Sequence, residues 1–152
     1  MSVAIDLSNR RSPHYNDYAP ELFAILRGRH VRLAGLTMEL ISWLRDRLGI
    51  STPMRLASEI GIGGKKAELL AALCQSMAAD QYLSPPGLRD YLDQPTAFTT
   101  KSIKDVSYHE LAHLTYAQEF GDFLPDMSVI DLLFNVGQDS LSVIRGTHGE
   151  RV

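Results

Sequence analysis

The chain has one cysteine, one tryptophan and no apolar run near the roughly 18 residues that a membrane-crossing helix needs. A lone cysteine forbids an intrachain disulfide. Its place in Leu69-Leu70-Ala71-Ala72-Leu73-Cys74 reads as a buried thiol rather than a nucleophile. The opening Met-Ser-Val-Ala-Ile-Asp-Leu lacks a basic region and a long apolar segment, so it does not read as a secretory leader. A reducing, cytoplasmic location without membrane association is the expectation. Charge of one sign is also lacking, with 15 basic against 18 acidic residues and a net of −3. Residues 1–76 hold ten basic and seven acidic side chains, and residues 77–152 five and eleven. The first half's excess is far too small for a nucleic-acid footprint, so no nucleic-acid partner is expected.

What is present is ordinary globular material, 45% hydrophobic and 22% charged over 152 residues. A chain of this length buries roughly two thirds of its unfolded surface, enough for a core without disulfides or a structural metal. We read it as a single domain, residues 1–152, whose ends, 1–12 and 146–152, fray or depend on contacts elsewhere.

Periodicity places the elements. Asp17 caps a helix that starts near Ala19-Pro20, with Leu22, Phe23, Ile25 and Leu26 on one face and Gly28 at its end. Leu33, Leu36, Leu40, Ile41, Leu44 and Leu48 recur at three and four, predicting a helix from Val31 to Leu48 that stops at Gly49. Pro53 to Ala57 reads as a short strand, Lys65 to Ala79 as a helix and Asp80 to Ser84 as the next strand. Pro85-Pro86-Gly87 makes a turn, Leu88 to Leu92 a turn or two of helix, and Ile103 to Tyr108 a third strand. Ser128 caps the apolar helix Val129 to Asn135, Gly137 closes it, and Gln138 to Arg145 makes a last short helix. Helices alternating with short strands predict an α/β fold, a small, mostly parallel sheet flanked by helices in a Rossmann-like manner.

Several motifs could carry chemistry. His109-Glu110-x-x-His113 matches the H-E-x-x-H string in which two imidazoles one helical turn apart hold zinc and the glutamate acts as base. The capping box Ser107-x-x-Glu110 would start the required helix. A third ligand is lacking, because Tyr116 and Glu119 stand where the metzincin glycine and third histidine belong. Gly61-Ile62-Gly63-Gly64-Lys65-Lys66 opens a helix and offers backbone N–H groups and two cations to an anion, yet fits neither the P-loop nor the Rossmann spacing. Ser84 and Tyr91 flank the turn at a strand's carboxyl end, where open α/β sheets hold ligands. Asp131 and Asn135, four apart on an apolar helix, form either a solvated edge or a buried polar network.

Taken together, Tyr82-Leu83-Ser84-Pro85-Pro86-Gly87, Tyr91-Leu92, His113, Tyr116-x-Gln118, Phe120-Gly121-x-Phe123-x-Pro125 and Ser128-Val129-Ile130-Asp131-Leu132-Leu133-Phe134-Asn135-x-Gly137 resemble the WbqC-like family. The resemblance runs from about Ser12 to Gly137, and D-L-L-F-N-x-G is its most specific part. The family's opening Gln-Pro-x-Tyr-Leu-Pro segment has no counterpart in place, and Leu114 stands where the family has proline. The resemblance implies an enzyme of polysaccharide, O-antigen or secondary-metabolite biosynthesis that transfers an acyl or aminoacyl group to an amino sugar or related metabolite. It implies a site at the strands' carboxyl ends, with His113, Tyr116 and Glu59 catalytic and Ser58, Lys65, Lys66, Ser84, Tyr91 and Gln118 binding a small, phosphorylated or nucleotide-linked substrate. There His113 moves the proton, since imidazole titrates near neutrality. No cofactor is expected; zinc belongs only to the alternative of a hydrolase built on His109 and His113. The other alternative is a non-catalytic partner module of a larger assembly. The consecutive apolar residues Leu132, Leu133 and Phe134, and the pair Leu69 and Leu70, predict a homodimer or partner chain to cover them.

Overall fold

A computed structural model describes residues 2–88, 98, 103–109 and 114–146. Contacts divide the chain into two units, one formed by Met1–Thr52 with Ala112–Val152 and the other by Pro53–Leu111. Helices and a two-stranded parallel sheet make the fold mixed α/β.

The first unit is helical. Helix α1 (Ser2–Asn9) leads through a tight turn into α2 (Tyr15–Arg27), which packs on α3 (Leu33–Arg47). Helix α2 starts at Tyr15, ahead of the start expected near Ala19, because the His14 N–H bonds the Phe134 carbonyl at 2.9 Å and the Tyr15 hydroxyl donates to Asp6. Pro20 therefore lies inside the helix, and Asp17 meets the His14 ring at 3.2 Å instead of capping. Tyr18, Ala19, Leu22 and Phe23 form the buried face of α2. On α3 the buried anchor is Trp43, whose indole N–H donates to Glu21 at 2.8 Å, with Arg47 on the same carboxylate. Leu33, placed on the apolar stripe by periodicity, is 78% exposed.

The second unit contains α4 (Ala57–Ile60) and α5 (Lys66–Ser76), followed by β1 (Gln81–Ser84), a 3₁₀ turn at Pro86–Leu88 and β2 (Asp105–Tyr108). The strand expected at Pro53 to Ala57 is absent: residues 51–56 carry no regular structure and are exposed, so no apolar face is gained by extending them, and Ala57 already belongs to α4. Helix α5 ends at Ser76, earlier than Ala79, where Ala78 turns left-handed at φ 52° and the Met77 and Ala79 N–H groups close on Leu73 and Cys74 carbonyls. Strands β1 and β2 pair in parallel with Gln81 opposite Asp105 and Ser84 opposite Tyr108, and the Lys104 and His109 N–H groups extend the ladder at both ends. Ala67, Ala71 and Cys74, on one face of α5, join Phe98 and Ile103 in a small core beside Tyr82, whose ring stacks on Phe98 at 5.4 Å. Burial pushes the Cys74 thiol up from its ordinary value, in keeping with an inert core thiol.

The first unit resumes with α6 (Val129–Val136), a 3₁₀ turn at Gly137–Asp139 and α7 (Ser140–Ile144). Ser128 caps α6 by accepting the Ile130 N–H at 3.3 Å. Leu132, Leu133 and Phe134 are 5%, 0% and 0% exposed, so these consecutive apolar side chains are covered within the chain. Gly137 ends α6 at φ 67°, ψ −132°, a conformation almost restricted to glycine, and a β-carbon there would meet the His14 ring at 2.8 Å. The glycine of D-L-L-F-N-x-G thus lets α6 close against the start of α2.

Candidate functional site

The residues that carry the sequence motif converge at the polar edge of α6. Asp131 and Asn135 lie one turn apart there, and the Asn135 side-chain amide donates back to the Asp131 carbonyl at 2.9 Å. The Tyr116 hydroxyl donates to Asp131 Oδ2 at 2.7 Å, and Gln118 Nε2 donates to the same oxygen at 3.2 Å. Gln118 also clamps its own loop: Nε2 donates to the Leu124 carbonyl at 3.1 Å, and the Leu124 N–H donates to Oε1 at 2.8 Å. The side-chain amide thereby stands in for a backbone partner across a reversal eased by Gly121 at φ 64°. Asn135 Oδ1 accepts the Glu119 N–H at 3.1 Å, and the Tyr116 and Phe123 rings meet edge to face at 5.5 Å.

This network walls a cavity of about 430 Å³. Ile5, Ser8, Asn9 and Ser12, on α1 and the turn after it, face it from the other side. Ile5, Phe120, Leu124, Met127 and Ile130 make it apolar, while Gln118, Asn135 and the carboxylates Asp131 and Glu119 supply polar contacts. A pocket of a few hundred cubic ångströms with apolar walls and a few convergent polar groups has the size and character of a small-molecule site.

Burial, and then the hydrogen bond to Asp131, push the Tyr116 phenol up to about 12. It is therefore a neutral donor near pH 7 and cannot serve as a base there. The same causes, with Asp6 as partner, hold Tyr15 at about 12, where it pins α1 to α2.

Of the residues expected to form the site, Tyr116 and Gln118 share this network, and Gln118 also lines the cavity. Ser58, Glu59, Lys65, Lys66 and Ser84 belong to the second unit. Ser58 and Glu59 lie exposed on α4, and Lys65 and Lys66 are exposed at the start of α5, Lys66 at φ 54°. Ser84 is fully buried and its hydroxyl donates to the Pro85 carbonyl at 3.2 Å. His109 is exposed just past β2, and Ser107 lies within that strand, so no helix starts at the capping box. Tyr91, Glu110 and His113 lie outside the described residues. Among the described residues, no three His, Cys, Asp or Glu side chains gather closely enough to hold a metal ion. The site's contribution from α1 went unread in the sequence. Asp131, by contrast, was visible as a carboxylate four residues from Asn135 on an otherwise apolar helix.

The WbqC-like protein family model matches residues 2–143. The chain belongs to the WbqC-like family. The match extends the resemblance toward the amino terminus, taking in α1. The chain is also similar to the uncharacterized protein Rv1507c of Mycobacterium tuberculosis, at 33% identity over 143 residues. That alignment takes in 93% of this chain but only 62% of the relative's length. No solved structure matches the chain. Among the described residues, no helix is long and apolar enough to cross a membrane.

Proposed function

We propose that this WbqC-like protein is an acyl or aminoacyl transferase acting on an amino sugar or related metabolite in polysaccharide or secondary-metabolite biosynthesis, and that the cavity beside α6 holds one of its substrates. The observation that supports this reading is the placement of the motif residues: Tyr116, Gln118, Asp131 and Asn135 meet in one hydrogen-bonded network along a pocket of small-molecule size. In the transfer, the acceptor nitrogen attacks the donor carbonyl and forms a C–N bond. The donor's ester or thioester bond breaks, and the proton lost by nitrogen ends on the departing group. His113 is the candidate to carry that proton, and Tyr116, held neutral, orients Asp131. In the second unit, Lys65 and Lys66, with Ser58 and Glu59 nearby in sequence, are the candidates for a phosphorylated or nucleotide-linked group, and the parallel pairing of β1 and β2 supports a Rossmann-like reading of the sheet.

Mass spectrometry of the purified chain incubated with acyl or aminoacyl thioesters and glucosamine tests the reading. An amide product that forms with the parent and falls at least about tenfold with His113→Ala is expected. Absence of product across short acyl and aminoacyl thioesters, or an undiminished rate in His113→Ala, would overturn it.

A further inference from the structure

The cavity beside α6 has a charge character that the sequence reading did not anticipate. Among the described residues its lining includes the acidic Asp131 and Glu119 and no lysine, arginine or histidine. The surrounding sequence has the same bias: between Lys104 and Arg145 there is no lysine or arginine at all. Arg10 and Arg11, which follow α1, are exposed and do not line it. Asp131 uses Oδ2 for both Tyr116 and Gln118, and among the described residues Oδ1 has no protein partner. A phosphate would meet two like charges here and no cation among the described residues, whereas an ammonium would find an oriented carboxylate on a partly desolvated wall.

The rest of the pocket limits what carries that ammonium. Ile5, Phe120, Leu124, Met127 and Ile130 offer hydrocarbon, so a compact apolar group is retained better than a polyhydroxylated ring, which would leave hydroxyls unpaired. A free carboxylate on the same ligand would face Asp131 and Glu119 unfavourably. The ligand is therefore an amine whose carboxyl end is masked as an ester, thioester or amide.

We infer that the cavity beside α6 binds the aminoacyl group of the donor, an amino acid with an apolar side chain and a masked carboxyl, through an ion pair between its ammonium and Asp131. This rests on the transferase reading and makes it more specific. The phosphorylated portion of any donor or acceptor is held elsewhere.

Calorimetric titration of the full chain with leucinamide, leucine, glycinamide and 4-methylpentanamide tests it. Leucinamide should bind best. Removing its amine, restoring the free carboxylate or deleting its isobutyl group should each cost roughly tenfold or more in affinity. Asp131→Asn keeps an oxygen for Tyr116 and Gln118, so the pocket's shape is retained. It should weaken leucinamide by about tenfold while leaving 4-methylpentanamide within about twofold, a contrast that a merely structural role for Asp131 would not produce. Equal binding of leucinamide and 4-methylpentanamide, tighter binding of hexyl phosphate, or no binding of leucinamide would overturn the inference. If amide-forming activity persists with simple acyl thioesters while leucinamide fails to bind, the transferase reading stands and this inference falls. If leucinamide binds as described but no amide forms, the reverse holds.

Discussion

The two units solve the same problem, burying apolar residues around a few polar ones, in different ways. In the unit that contains α6, the polar residues are mutually engaged: Asp131 receives Tyr116 and Gln118, Asn135 receives the Glu119 N–H, and Ser128 caps the helix that carries them. In the unit of residues 53–111, the described candidates are separate. Ser84 is enclosed by its own turn, while Lys65, Lys66, Ser58 and Glu59 are exposed on short or terminal segments of helix. Preorganised polar groups on a rigid helix hold a ligand at lower entropic cost than exposed side chains at a helix start. The difference teaches that a motif's specificity in sequence can reflect a structural requirement and a binding requirement together. In D-L-L-F-N-x-G, Leu132, Leu133, Phe134 and Gly137 build the core, and Asp131 and Asn135 face the cavity.

The largest effect should come from breaking that core. Leu133 is fully buried, so Leu133→Ala should cost about 2–5 kcal/mol of stability. Trp43, the one tryptophan, reports the first unit by its fluorescence, and the buried Cys74 reports the second by its reactivity toward thiol reagents. In denaturant, Leu133→Ala should shift the Trp43 transition to lower concentration. Equal shifts in tryptophan emission and thiol exposure would mean that the two units unfold as one, and an unchanged Trp43 midpoint would contradict the packing described for α6.

A somewhat smaller loss, about 1–3 kcal/mol from backbone strain with any His14 displacement added, is expected for Gly137→Ala, read by the same tryptophan transition. The paired variant His14→Ala/Gly137→Ala should recover the part caused by the ring and keep the part caused by φ.

Smaller still is Tyr116→Phe, at about 1 kcal/mol for the hydrogen bond to Asp131. Its clearest signature is in alkali. The phenol's pKa in the folded state, about 12 against an ordinary 10.0, means that folding favours the protonated form. The stability it contributes is complete below pH 10 and is lost as pH rises through about 12. Tyr116→Phe should therefore have a shallower loss of stability over that range, Tyr15 keeping its own share. Tyrosinate absorbance during the titration checks it, and two fewer displaced phenols than expected would remove the cause.

Much of the fold was legible because one physical signal, periodic burial, dominated locally. Helices α2, α3, α5 and α6 and strands β1 and β2 fall where spacing placed them, with ends moved by a few residues where tertiary bonds took over, as when the Phe134 carbonyl claims the His14 N–H. Pro53 to Ala57 misled because a short segment without β-branched or aromatic residues, and with nothing available to bury it, gains nothing from extending into a strand. Leu33 misled in the same way, since the stripe on α3 outruns the surface that α2 supplies. The α1 side of the cavity was not legible. The apolar spacing in residues 2–9 is slight, and α1 is fixed by Asp6 meeting Tyr15, a contact nine residues apart that no helical or strand period encodes. Tyr116 and Gln118 were legible as chemistry, but their partner Asp131 lies 15 and 13 residues further on and is brought in only by the turn around Gly121.

The central claim is that the aminoacyl group is recognised in the motif-built pocket of the first unit and not at the lysine-bearing start of α5. Amide chemical shifts of the isotopically labelled full chain, followed while leucinamide is added, test it most directly. The account predicts saturable shifts at Ile5, Asn9, Gln118, Glu119, Ile130 and Asp131, with Lys65 and Lys66 unmoved. Shifts concentrated at residues 58–66, or none that saturate in the pocket, would contradict it.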